Sequence, residues 1–184
     1  MDIAKKLAVF DIDGTISKEG NDSWFETTTA MVTNQLLFDE YLNVWKKEKA
    51  NAPYEASLTM MEQAISLFPE GVNSKNVYAK ARELSSECIA NDQIRMQCIE
   101  KIKLHFNEGF KIVFATTSYY EAGLAFLDSL AEKSILSAEI AKSITVSGTE
   151  VDWQKRKIVH FNMGDGKLEG VSRKLESTSE IVSS

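Results

Sequence analysis

The chain has 184 residues, 43% of them hydrophobic and 26% charged, with two prolines and a formal net charge of −6. That composition belongs to a globular protein with one substantial core, or a core carrying a smaller inserted domain. It excludes a basic nucleic-acid or membrane-surface binder, and no apolar stretch approaches the ~20 residues of a membrane span.

The first ten residues run straight into an aspartate-rich segment, so no signal peptide is expected ahead of them. Lys6 to Phe10 holds a short apolar run that ends abruptly in Asp11-Ile12-Asp13-Gly14-Thr15, the pattern of a buried strand opening into a loop. Ser17 to Ser23 is polar and turn-rich, and the chain leaves the sheet there. Helical periodicity follows over Trp24–Ala50, Tyr54–Phe68 and Ser74–Ala90. A fourth helix is expected from a cap at Asn91 or Asp92, with Ile94, Cys98, Ile102 and Phe106 on one stripe and an end at Gly109. Four helices with no strand between them predict a small bundle.

The period then reverts to strand. Lys111 to Ser118 reads as a second buried strand ending in hydroxyl residues, Tyr120–Glu132 as a helix, and Ile144–Gly148 as a third strand. Glu150–Phe161 alternates around Gln154-Lys155-Arg156-Lys157, which predicts a hairpin. Asn162–Lys167 is a glycine-containing loop leading into a short helix to about Glu176, and Ser179–Ser184 reads as the start of a fourth strand. The order predicts an α/β fold with a Rossmann-like parallel sheet core, residues 1–17 and 108–184, and an inserted all-helical cap at 18–107.

Ligands of open parallel sheets sit at the carboxyl ends of the strands. Asp11 and Thr116 fall there, and Lys167 can reach the same place from its loop. One of the two carboxylates can attack phosphorus while the other protonates the departing alkoxide. The charge developing on the phosphoryl oxygens calls for a lysine, hydroxyls, backbone N–H groups and a hard divalent cation, for which Mg²⁺ is the expected choice. Taken singly, an Asp-x-Asp-Gly is often a turn, Thr116 a strand-end hydroxyl and Lys167 a solvated lysine. Their convergence at one sheet mouth gives them weight.

Leu7 to Thr15 resembles motif I of the haloacid dehalogenase superfamily, Ile112 to Ser118 its motif II, and Asp165-Gly-Lys-Leu168 its motif III. The helical insert resembles the C1-type cap of the phosphoserine phosphatase-like subgroup. The resemblance implies that Asp11 becomes an aspartyl-phosphate and that Asp13 serves as general acid and then base. It implies Mg²⁺ on the Asp11 carboxylate and the Asp13 carbonyl, and phosphoryl oxygens held by Thr116, Thr117 and Lys167. Asp13 also favours phosphoryl transfer over dehalogenation.

The expected activity is a Mg²⁺-dependent phosphatase acting on a small phosphorylated metabolite in the cytoplasm. The family's motif IV, an acidic run at the end of the fourth strand, has no counterpart after Lys167; Glu176 and Glu180 are the nearest acids. The alternative expectation is therefore a catalytically incomplete phosphate-binding or scaffolding module, or a fragment. A receiver domain also uses Asp, Thr and Lys, but it needs its aspartate at the end of the third strand, and residues 50–60 hold none.

The other polar and aromatic candidates read blandly. His105 and His160 are unaccompanied and suggest no metal pair. Cys88 and Cys98 lack metal-type spacing and read as buried free thiols of a reducing compartment. Trp24 and Trp45 read as packing residues of the helical insert. Glu19, Asn21 and Asp22 form a polar loop where solvation outweighs substrate contact. Oligomeric state is open.

Overall fold

A computed structural model describes residues 6–182, with side chains to residue 176. Four strands form one sheet in the order β1 (Leu7–Asp11), β2 (Lys111–Tyr119), β3 (Thr145–Asp152) and β4 (Lys157–His160). The first three are parallel, and β4 returns antiparallel to β3. The fold is the α/β class that the alternation of periods predicts, and the 150–161 hairpin is present as expected.

The sheet is covered on both faces at β2, which is apolar on both, whereas Leu7 and Val9 of β1 are exposed, so the first strand is less buried than its apolar run predicts. On one side Ile112, Phe114 and Val146 pack with Ile99 and Ile102 of α5 (Met96–Asn107) and with Phe126 and Leu130 of α6 (Tyr120–Glu132). On the other, Val113 and Ala115 pack against Val171 and Leu175 of α8 (Asp165–Val182). Between β1 and β2 the chain is helical throughout: α1 (Ser23–Met31), α2 (Gln35–Glu48), α3 (Pro53–Ser66) and α4 (Ser74–Ala90) precede α5. The first four build the cores around Met61, Ile65, Phe38 and Leu42, whereas α5 shares the core of the sheet.

Several boundaries differ from the sequence reading. The helix expected over Trp24–Ala50 is two helices. Asn34 breaks it by capping α2, its side chain accepting from the Leu37 N–H at 3.1 Å. The fourth helix begins at Met96, not at Asn91. Asp92 has a positive φ of 57°, and Ile94 instead bridges to Ser17. The short helix α7 (Ala138–Ser143), capped by Ser137, has no counterpart in the sequence reading.

Ser179 does not open a fourth parallel strand. Residues Ser179 to Val182 continue α8, whose Val171 and Leu175 recur at helical spacing against the sheet. The strand preference of Ile181-Val182 is a weak prior that this amphipathic helix overrides. The side chain of Glu180 lies outside the described residues.

Candidate active site

β1 ends at Asp11, opposite Ala115 of β2, so the carboxylate emerges at the mouth of the parallel sheet. The chain then turns tightly through Ile12–Ile16. Ile12 and Ile16 are buried, anchoring both ends of the turn, and Gly14 sits at φ 72°, a conformation open to glycine. Its amide donates to Ser17 Oγ at 3.2 Å, and Arg95 Nη1 donates to its carbonyl at 2.7 Å. The ordered turn leaves Asp13 fixed two residues beyond Asp11.

Both Asp13 oxygens accept hydrogen bonds. The Ser23 amide, at the start of α1, reaches Oδ1 at 2.8 Å, and Thr116 Oγ1 reaches Oδ2 at 2.8 Å. Burial nevertheless holds the Asp13 carboxyl above the ordinary carboxylate range. The negative charge of Asp22 pushes the same way, against the lowering effect of those donors. A carboxyl kept protonated to higher pH suits a general acid.

Thr116 is fully buried, and its hydroxyl also accepts from the Ser118 amide at 2.9 Å. That hydroxyl is therefore spent on Asp13, and the strand-end residues lining the open cleft are Thr117 and Ser118. The β2–β3 register shifts between Ala115 and Tyr119, a local irregularity that turns this hydroxyl run out of the regular pleat.

Lys167 lies in the first turn of α8, and its Nζ meets Asp11 Oδ1 at 2.8 Å. The loop before it is tied down by two residues the sequence reading did not single out as functional. Asn162 is fully buried; its Nδ2 donates to the Thr116 carbonyl at 2.6 Å and the Ser147 carbonyl at 3.1 Å. His160 Nε2 lies 3.1 Å from the Gly166 carbonyl. Asn162 thus couples the end of β2 to the loop carrying Lys167. The one sequence signal for it is its place at the head of the Asn-Met-Gly-Asp-Gly run.

Asp11, Asp13, Thr117, Ser118 and Lys167 line a cleft of about 190 Å³. Trp24 and Trp45, read from the sequence as packing residues, do pack in the helical cores but also line this cleft, with Met60, Met61, Phe161 and Met163. Asp22 lines it too, while capping α1 through the Phe25 amide at 3.0 Å. Glu19 is exposed beside Arg95, and Asn21 bonds Lys18 and Gln93, so these two stay with the loop. His105 lies in the last turn of α5 and His160 ends β4. Cys88 and Cys98 are half-buried free thiols.

Among the described residues no group of three or more His, Cys, Asp or Glu side chains is placed to hold a metal. The residues at the sheet mouth present hard side-chain oxygens, those of Asp11, Asp13, Thr117 and Ser118. That set suits a cation that keeps most of its ligands as water and substrate phosphate, as Mg²⁺ does. Among the described residues no helix is long and apolar enough to cross a membrane.

No family model matches the sequence, and no curated protein matches it. Solved structures do. A protein of unknown function from Bordetella pertussis Tohama I aligns with a TM-score of 0.58 at 13% identity, over 95% of this chain and 75% of its own. A cytosolic 5'-nucleotidase IIIB bound to cytidine aligns with a TM-score of 0.53 at 12% identity, over 87% of this chain and 54% of its own. The present chain therefore spans about half of the nucleotidase. A phosphoserine phosphohydrolase-like protein from Francisella tularensis aligns at 0.49 and 13% identity, over 91% of this chain and 72% of its own. At these identities the likeness is one of fold.

Proposed function

We propose that this chain is a phosphomonoester hydrolase of the haloacid dehalogenase superfamily, acting on a small phosphorylated metabolite in the cytoplasm. The observation that carries the reading is the pairing of Lys167 Nζ with Asp11 Oδ1 at 2.8 Å, beside an Asp13 carboxyl held from both sides. A strand-end carboxylate, a raised-pKa carboxyl and a lysine at one sheet mouth form a phosphoryl-transfer set. The fold of a nucleotidase among the structural relatives supports the same reading.

In this scheme an Asp11 carboxylate oxygen attacks phosphorus as the ester P–O bond breaks. Asp13 gives its proton to the departing alkoxide. A water then attacks the aspartyl-phosphate at phosphorus and loses its proton to Asp13, and inorganic phosphate leaves as Asp11 is regenerated. Lys167, Thr117 and the backbone N–H groups of the turn hold the phosphoryl oxygens; Thr116 orients Asp13. The Asp11 carboxylate and the Asp13 carbonyl would hold Mg²⁺, whose charge offsets repulsion between carboxylate and phosphate. Helices α1–α4 act as a cap over the cleft, shielding the acyl-phosphate from stray water.

A second reading is a phosphate-binding or scaffolding module, favoured by the absence of a three-carboxylate group among the described residues. An assay with Mg²⁺ and a panel of phosphomonoesters separates the two. The enzyme reading expects phosphate release that Asp11→Asn abolishes. Release equal in the two proteins, or none from either, favours the module.

A further inference from the structure

The cleft above Asp11 has walls of a different chemical character from its floor. The floor carries Asp11, Asp13 and Lys167; the walls carry Trp24, Trp45, Met60, Met61, Phe161 and Met163. Among the described residues Lys167 is the one cation of the lining, and it is engaged by Asp11 at 2.8 Å. Asp22 adds a third carboxyl, at the wall. A leaving group bearing its own carboxylate or second phosphate would meet no unpaired cation among the described lining residues and would face Asp22. A polyhydroxylated one would bury most of its hydroxyls against methionine and aromatic surface: Ser57 already accepts from Trp45 Nε1 at 3.1 Å, which leaves Trp24 Nε1 and Ser118 Oγ as the buried, unpartnered polar atoms of the described lining.

An uncharged ring fits instead. Met60, Met61 and Phe161 are buried, so this wall is preformed, and its thioethers and rings suit a flat apolar partner. Trp45 is anchored by its bond to Ser57 and by Lys49, whose Nζ sits 4.1 Å from its ring centroid.

We infer that the preferred substrate is a phosphate monoester of an uncharged aromatic alcohol, with the phosphate as its only charge. The inference rests on the phosphomonoesterase reading for turnover, but its binding component is measurable without turnover. Three probes share a primary-alcohol ester and so have similar intrinsic leaving ability: 2-phenylethyl phosphate, glycerol 3-phosphate and O-phosphoserine. Their affinities for the Asp13→Asn chain, which turns over slowly and keeps the Lys167–Asp11 pair, measured by calorimetry with Mg²⁺ present, compare the leaving groups directly.

The expected result is that 2-phenylethyl phosphate binds tighter than the other two by about tenfold, the value of burying a ring against aromatic and thioether surface. The Trp45→Ala substitution should remove most of that preference. Equal affinities, tighter binding of glycerol 3-phosphate or O-phosphoserine, or no binding of any probe would overturn the inference. The comparison among ligands needs no variant of the walls, so a misfolded Trp45→Ala chain leaves it decisive. If the unmutated chain releases no phosphate while the aromatic preference holds, the hydrolase reading fails and the ligand class stands. Release that depends on Asp11 without any aromatic preference has the opposite meaning.

Discussion

Lys167 Nζ and Asp11 Oδ1 lie 2.8 Å apart although 156 residues separate them in the chain. The contact closes the mouth of the sheet from α8 onto the end of β1. Both side chains keep access to solvent, with 30% and 42% of their surface exposed. An ion pair so exposed contributes little to stability, about 0–1 kcal/mol. Its value is in placing a positive charge where phosphoryl oxygens would sit. Lys167→Met should therefore lower kcat/KM by about 10²- to 10³-fold while leaving the thermal midpoint nearly unchanged. A melting curve and a phosphate-release assay on the same preparation check both halves.

Asp13 makes the opposite trade. Burial raises its pKa in the folded chain, so the folded state holds its proton to higher pH than the unfolded state does. The stability tied to that proton is fully present below about pH 3.9, the unfolded value, and is lost as pH rises through the folded value. At neutral pH the buried charge is a cost. Asp13→Asn keeps an oxygen for the Ser23 amide and should raise the thermal midpoint at pH 7 without added divalent ion, a gain that fades as the pH approaches 4. The same variant should lose about 10²- to 10⁴-fold in kcat. A midpoint that falls at pH 7 would contradict the account of Asp13.

Asn162 should behave as a structural key to the site. Asn162→Ala strips the Thr116 and Ser147 carbonyls of a buried donor. The loss is expected at about 1–3 kcal/mol, read as a lowered denaturant midpoint. Activity should fall by more than the unfolded fraction explains, because the end of β2 and the Lys167 loop lose their link.

Gly166 tests the same loop from its backbone. A Cβ there would stand 2.3 Å from the Phe161 carbonyl oxygen, a contact the loop relieves only by shifting. Gly166→Ala should move Lys167 away from Asp11 and reduce kcat/KM, and a structure of the variant would display the lengthened Nζ–Oδ1 distance.

Cys88 supplies a prediction away from the chemistry. Burial, reinforced by the charges of Glu26 and Asp13, pushes its thiol up to about 11. In a Cys98→Ser background its alkylation at pH 7 should be far slower than that of an exposed thiol and should climb steeply above pH 9. Rapid labelling at pH 7 would contradict the burial.

The sequence made β1 and the Asp11–Gly14 turn legible because a short apolar run met an aspartate-glycine sequence, two signals that act locally. Lys167 was legible through resemblance, since a lone lysine at a helix start carries no signal of its own. The break at Asn34 was not, because apolar residues continue on both sides of it and the cap decides locally. The roles of Trp24 and Trp45 were hidden for another reason: periodicity identifies apolar faces but does not tell which residues on them open onto a cavity. Thr116 illustrates a third limit. Its position near the strand end was readable, but the turning of its hydroxyl onto Asp13, 103 positions away in the chain, is a tertiary contact that no local pattern carries. The close of the chain misled because β-branched residues there favour a strand in isolation, while α8 already has a sheet face to cover.

The central claim is that Asp11 accepts the phosphoryl group. Rapid quenching of a turnover reaction with Mg²⁺, followed by borohydride reduction and peptide mass spectrometry, tests it directly. Reduction of an aspartyl-phosphate converts that residue to homoserine. Homoserine is expected at position 11 and unmodified aspartate at position 13; phosphate release with aspartate intact at position 11, or homoserine elsewhere, would show that Asp11 is not the acceptor.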